Sequence, residues 1–132
     1  MQQELNRSMT HLSSLQPDPV YFLQYEVTEE RAWGLEARDG ALLAPSSRFS
    51  RFLDLDLRLG SPELDNTHEI RGGNWRNNFR PRRIIEFPLE ADTGAIRAAL
   101  WSETEFQLQR ARERYTKVQS NRQVKVAEED LS

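Results

Sequence analysis

The sequence predicts an α+β fold: an antiparallel, meander-like sheet of four to six strands, covered on one face by a long C-terminal helix with a short N-terminal helix beside it. Two observations lead to this prediction. The segment Phe52–Leu59 places four leucines on one side and Asp54, Asp56 and Arg58 on the other. From Asp92 onward, apolar side chains instead recur every three or four residues. Because side chains alternate along a strand, the leucine face must be buried, and the apolar stripe of the helix can cover it.

The composition fits one soluble domain. The 132 residues carry a net charge of −3, and 37% of them are hydrophobic. Cysteine is absent, which excludes disulfides and any cysteine-based metal site or nucleophile within this sequence. No apolar run approaches the roughly 18 residues that a membrane span requires, and the N-terminus has neither the basic segment nor the apolar core of a signal peptide. A cytoplasmic protein is therefore expected.

Residues 1–15 predict a short amphipathic helix. Its apolar side chains recur at spacings of three and four residues. Pro17 and Pro19 end the helix, because proline cannot continue the hydrogen-bond ladder. The first strand, Val20–Val27, follows directly.

The middle of the chain predicts three further strands. Thr28–Glu30 is interpreted as a turn that ends the first strand. Asp39-Gly40 is a typical two-residue hairpin turn, since a type I′ turn requires positive φ at both positions. The strands expected on this basis are Arg31–Arg38, Ala41–Ala44 and Phe49–Leu59.

The last half of the chain combines irregular and helical sequence. Residues 65–70 predict a weak strand and residues 71–83 a loop, after which Ile84–Phe87 forms a short edge strand that Pro88 ends. One helix is expected from about 92 to 119, with Asp92 or Thr93 as its N-cap; the alternative is a break near residue 102. Residues 121–132 lack periodicity and are interpreted as a tail or the start of a linker, so the predicted domain comprises residues 1–120.

Two groups of side chains are candidates for metal or acid–base chemistry. His68-Glu69 begins a motif typical of zinc proteases, but no histidine follows one helical turn later, so a surface or turn histidine is favoured. Asp54 and Asp56 share a face about 6.5–7 Å apart by strand rise. They could bind a metal or act as acid and base, but the favoured interpretation is a solvated strand face whose charges Arg51 and Arg58 neutralise.

The most unusual segment is Arg71–Arg83, which holds five arginines and no acidic residue. Arginines and interleaved aromatic side chains are typical of single-stranded nucleic-acid binding. The alternative is a long loop whose arginines pair with the acidic remainder of the protein or with a neighbouring domain. The residues of this candidate partner-binding loop are Arg71, Trp75, Arg76, Phe79, Arg80, Arg82 and Arg83.

Four stretches resemble the N-terminal domain of the TldD/PmbA family, which comprises predicted zinc metalloproteases also called modulators of DNA gyrase. They are Pro19–Glu29, Glu36–Leu42, Arg51–Gly60 and Leu64–His68, and the later Ala95–Trp101 and Gln107–Tyr115 resemble the helix that follows in that family. The resemblance covers about residues 8–132.

The resemblance implies a function for the whole protein and a limited role for this chain. Family members are longer and bind zinc through a downstream His-Glu-x-x-x-His helix and a cysteine, whereas here His68-Glu69 is followed by Asn74 near the matching distance. No catalytic or metal-binding residue is therefore carried over. The expected role is a non-catalytic substrate-chamber or assembly domain, whose partners are a downstream protease domain, a second TldD/PmbA-type subunit and unfolded peptides. The alternative is a stand-alone module that binds protein or nucleic acid through residues 71–83.

Overall fold

Two long antiparallel strands dominate the computed structural model, which describes residues 1–70 and 83–131. Strand β1 comprises Val20–Gly34 and strand β4 comprises Ser46–Ser61; they pair from Val20↔Leu59 to Gly34↔Ser46. The α+β class, the antiparallel sheet and the two helices packed on it are as predicted. The described residues contain two helices and six strands. The remaining elements are α1 (Gln2–Leu12), β2 (Ala37–Arg38), β3 (Ala41–Leu42), β5 (Leu64–Asp65), β6 (Ile84–Glu86) and α2 (Thr93–Leu131).

The predicted turn at Thr28–Glu30 is wrong, because β1 continues through it. Thr28, Glu29 and Glu30 pair in register with Phe52, Arg51 and Ser50 of β4. This stretch contains no glycine, proline or asparagine, and the pairing of two long strands overrides the charge of its glutamates. A long ribbon replaces the two shorter strands expected here.

The outer part of this ribbon is exposed at every position from residue 28 to residue 48, and we call these residues the arm. At its end, β2 and β3 form the predicted hairpin, in which Asp39 and Gly40 have φ angles of 53° and 79°. Positive φ at both positions is what a type I′ turn requires. The arm is therefore a two-stranded extension without a hydrophobic core of its own.

The core lies between the leucine face of β4 and α2, as the alternation predicts. Leu53 packs with Phe87 and Leu100 near the start of α2. Leu55, Leu57 and Leu59 pack near its middle in a second cluster, together with Leu12, Val20, Leu108, Ala111 and Tyr115. The helix therefore runs along β4 from the base of the arm to the opposite end of the sheet.

Helix α2 begins as predicted and ends later than predicted. Asp92 caps it, since its Oδ1 accepts hydrogen bonds from the backbone N–H groups of Gly94 at 2.9 Å and Ala95 at 3.4 Å. The helix continues to Leu131 instead of ending near residue 119. Val118 is its last buried residue, so the final turns extend beyond the sheet. They contain no glycine or proline and are rich in residues that favour helices. This explains why they are helical although their apolar side chains do not recur every three or four residues.

The short strands complete the edge of β4. β5 pairs with Gly60–Ser61 and β6 with Phe52–Asp54, so β4 lies between β1 on one side and these two strands on the other. The edge position predicted for residues 84–87 is confirmed for Ile84–Glu86, whereas the strand predicted at 65–70 is reduced to Leu64–Asp65. In the described part of the chain, no helix has the length and apolarity that a membrane crossing needs.

Candidate functional site

A groove of about 370 Å³ opens beside β4, between the ends of β5 and β6. One wall carries carboxylates of the polar sheet face and the other carries arginines, mostly from α2. Its described lining is Gln24, Glu26, Asp54, Leu55, Asp56, Leu57, Asn66, Arg83, Gln107, Arg110, Ala111 and Arg114. These side chains can form ion pairs and hydrogen bonds, but the described lining includes no serine, cysteine or histidine. The groove is therefore suited to binding through charge.

At one end of the groove, the side chain of Asn66 forms hydrogen bonds with backbone groups of β4 that have no described strand beside them. Its Oδ1 accepts a hydrogen bond from the N–H of Leu59 at 2.9 Å, and its Nδ2 donates to the carbonyl of Leu57 at 3.2 Å. A buried side-chain amide thus takes the place of a neighbouring strand. Arg114 holds the same loop from α2, since it donates to the carbonyl oxygens of Asn66 and His68, each at 3.2 Å. Sequence periodicity gave no indication of this arrangement, because Asn66 lies in a turn.

Asp65 is the centre of a buried polar network next to Asn66. One carboxylate oxygen accepts hydrogen bonds from the backbone N–H and the hydroxyl of Thr67, and the other accepts from the hydroxyl of Tyr21. Burial opposes ionisation of the carboxyl, but the hydrogen bonds from Thr67 and Tyr21 prevail and lower the pKa of Asp65. Burial and the hydrogen bond to Asp65 raise the pKa of the Tyr21 hydroxyl. The network joins the start of β1 to the turn after β5.

The aspartates of β4 lie on the polar face, as predicted, and one of the two expected ion pairs forms. Arg58 donates to Asp56 at 2.9 Å, and this hydrogen bond raises the pKa of Arg58. The other expectation was wrong: Arg51 lies on the leucine face, where it pairs with Glu29 at 2.7 Å and donates to the carbonyl of Pro88 at 2.8 Å. Alternate side chains of a strand share a face, so Arg51 lies with the odd-numbered leucines of β4 and points away from the even-numbered aspartates.

Arg83 is the one member of the predicted partner-binding loop within the described residues. Arg71, Trp75, Arg76, Phe79, Arg80 and Arg82 lie outside them. The guanidinium of Arg83 lies 3.7 Å from the ring centroid of Phe106, and its Nε lies 3.4 Å from Oε2 of Glu103. Glu103 is 2% exposed and also accepts a hydrogen bond from Gln107 at 2.8 Å. For Arg83, the predicted pairing with the protein's own acidic residues is therefore the one that occurs.

Within the described part of the chain, neither histidine belongs to a cluster of potential metal ligands. His68 lies in the turn held by Arg114, and its N–H donates to the carbonyl of Asp65 at 3.2 Å. His11 lies in the last turn of α1. Over residues 1–70 and 83–131, no three histidine, cysteine, aspartate or glutamate side chains are grouped so that they could hold a metal ion.

No protein-family model, curated protein or solved structure matches this chain. The resemblance to the TldD/PmbA family therefore rests on the motifs in the sequence and remains a prediction.

Proposed function

We propose that this chain is a non-catalytic N-terminal assembly domain of a TldD/PmbA-type zinc metalloprotease that acts on unfolded peptides. Its motifs support the family, and one structural feature supports the role. The arm exposes four large apolar side chains: Trp33 and Leu35 at 75%, Leu42 at 69% and Leu43 at 40%. Apolar side chains clustered on an exposed extension mark surfaces that contact another protein.

The far end of the molecule supports the same role. The end of α2 beyond Val118 extends past the sheet and leaves Val124, Val126 and Leu131 exposed by 57%, 50% and 89%. The packed body between the arm and this helix holds the groove, whose charged walls suit polar contacts rather than bond cleavage. A domain with a closed core and uncovered apolar ends fits a structural part of a larger enzyme.

The zinc of such an enzyme needs ligands that this sequence does not supply. The resemblance requires a His-Glu-x-x-x-His helix and a cysteine, and the sequence has two histidines and no cysteine. The zinc and the cleavage it supports are therefore assigned to the downstream domain. The present residues supply walls and contacts.

The genomic reading frame beyond codon 132 tests the family. We expect it to continue into a His-Glu-x-x-x-His helix and a later cysteine. A stop codon directly after Ser132 would refute the assignment to a protease.

The product of that longer frame then tests the assembly role. In one variant, residues 33–47 are replaced by Asn-Gly, which keeps the Ala32↔Arg48 pair and removes the exposed apolar side chains of the arm. We expect unchanged zinc content, loss of the assembled form in sedimentation, and reduced hydrolysis of β-casein. Unchanged assembly and hydrolysis in this variant would show that the arm has no assembly role.

A further inference from the structure

The free edge of the arm suits pairing with a second copy of this chain. Among the described residues, β1 pairs with β4 alone. The odd-numbered residues of β4 direct their backbone N–H and C=O groups towards Asn66 and β6, so its even-numbered residues direct theirs towards β1. In the β1–β4 register, the backbone groups of Thr28 and Glu30 therefore point towards β4. The N–H and C=O groups of Glu29, Arg31 and Trp33 therefore point away from the sheet. Unprotected edges of this kind are templates for strand pairing.

The chain also has more surface than a monomer of its size requires. Its accessible surface is 9717 Å² for 15.4 kDa, whereas a compact monomer of this mass exposes roughly 7,200 Å². Two chains together therefore carry an excess of roughly 5,000 Å², which is enough for the roughly 2,000–5,000 Å² that obligate interfaces bury over both partners. An isolated two-stranded ribbon is also only marginally stable in water, so the arm gains from a neighbouring strand.

One antiparallel register of two β1 edges forms two Glu–Arg pairs against a single like-charged pair, Glu30 with Glu30. If Glu30 lies on the two-fold axis, Glu29 of each copy faces Arg31 of the other, and both lie on the face where Glu29 already pairs with Arg51. The same register places the exposed ring of Trp33 opposite Val27 of the partner, at the base of the arm next to the Leu53 cluster. Shifting the register by two residues would place Arg31 opposite Arg31.

We propose that two copies of this chain associate through the β1 edges of their arms, in the antiparallel register centred on Glu30. The inference deepens the proposed function and rests on it for its biological setting. The two fail separately, because the reading frame tests the family and the experiments below use this chain alone.

A cross-linking experiment tests the register. The chain has no cysteine, so Glu30→Cys introduces a single thiol that faces its own copy across the axis. Directly opposite residues of a non-hydrogen-bonded pair have Cα atoms about 4.5 Å apart, which permits a disulfide. We expect mild oxidation to give the covalent dimer with Glu30→Cys. Ser47→Cys, which lies on β4 and is also exposed, is the matched control and should give no disulfide-linked dimer.

Sedimentation equilibrium tests the energetics with variants that leave the core intact. Trp33→Ser should weaken association about tenfold, since it removes the apolar contact with Val27. Glu30→Gln should strengthen it about threefold, since it removes two like charges that face each other. A wild-type chain that remains monomeric at 100 µM would overturn the proposal. A dimer whose dissociation constant is the same in both variants as in wild type would also overturn it. So would a disulfide that forms as readily with Ser47→Cys as with Glu30→Cys.

Discussion

The indole Nε1–H of Trp101 donates a hydrogen bond of 2.9 Å to Oε2 of Glu4, and so joins the first helix to the last. The same carboxylate lies 2.8 Å from Nε of Arg97. The guanidinium of Arg7 lies over the Trp101 ring, 5.1 Å from its centroid. Glu4 is 8% exposed although it is charged, so α1 is held against α2 by polar contacts as well as by its leucines.

Trp101→Phe is expected to weaken this junction and leave the ring packing in place. It removes the donor to Glu4, and the loss should lower the free energy of unfolding by about 1–2 kcal/mol. Urea unfolding followed by circular dichroism measures the change, and hydrogen exchange should increase selectively in α1. Val124→Ala, at an exposed position near the end of α2, is the control and should change stability by less than about 0.5 kcal/mol. Equal effects of the two substitutions would contradict a structural role for the Glu4 contact.

Gly60→Ala is expected to be strongly destabilising, because two separate constraints require glycine there. The residue has a φ of 103°, and a Cβ would lie 2.6 Å from the carbonyl oxygen of Leu64 and 2.9 Å from the ring of Tyr115. Strain and overpacking together should cost about 2–5 kcal/mol.

Gly40→Ala separates the two constraints. Gly40 also has a positive φ, of 79°, but no atom lies within 4 Å of the Cβ position. This variant should lose only about 1 kcal/mol. Thermal unfolding of both variants measures the difference, and a Gly60→Ala protein no less stable than Gly40→Ala would argue against close packing by Tyr115.

Asp65 is expected to make stability depend on pH at the acidic end. Its pKa is lower in the folded protein than in the unfolded chain, so the unfolded chain binds more protons as the pH falls. The contribution of Asp65 is complete above its unfolded pKa of about 3.9, and it is lost as the pH falls through the lower folded value. Asp65→Asn should reduce stability at pH 7 by about 1–3 kcal/mol.

The loss caused by Asp65→Asn should shrink steadily as the pH falls below about 4, because wild type then loses the same contribution. Urea unfolding at a series of pH values measures this. Tyr21→Phe is a useful comparison, since it removes one of the donors and leaves the contacts with Thr67. A loss that is independent of pH would mean that the charge of Asp65 makes no contribution.

Arg83→Ala is expected to destabilise the contact between α2 and the segment that leads into β6. Removing the guanidinium takes the cation away from the buried carboxylate of Glu103, which keeps its hydrogen bond from Gln107, and uncovers one face of the Phe106 ring. The cost should be about 2–3 kcal/mol, because a buried charge loses its partner.

Two further variants distinguish the possible roles of Arg83. Arg83→Lys keeps the charge but not the planar stacking on Phe106, so it should recover part of the loss. Arg83→Ala combined with Glu103→Gln should also recover stability, since it removes the unpaired charge. An Arg83→Ala protein as stable as wild type would instead leave Arg83 available for a partner, as the loop hypothesis requires.

The local sequence pattern predicted the structure correctly where a single physical rule determines it. The leucines of β4 had to face a core because alternate side chains share a face, and Asp39-Gly40 had to turn because the two positions suit positive φ. Two predictions of element bounds were wrong, for different reasons. Thr28–Glu30 extends because β4 offers it backbone partners, and the residues after Val118 remain helical without any packed face.

The candidate site was harder to predict than the fold. Asn66 and Arg114 are ordinary polar residues in the sequence, and their roles depend on atoms brought together from distant parts of the chain. Arg83 was predicted as part of a loop for partners, yet its contacts are with Glu103 and Phe106. Such pairs have no sequence spacing by which they could be recognised.

By itself, the sequence determined the α+β class, the buried face of β4, the hairpin turn and the start of α2, because each follows from local backbone preferences or from the periodicity of apolar side chains. Only the tertiary structure decided the length of the arm, the contacts of Glu4 with Trp101 and of Glu103 with Arg83, and the hydrogen bonds of Asn66 to the edge of β4. These features depend on hydrogen bonds and ion pairs between groups far apart in the sequence, and such groups come together only when the strands and helices pack.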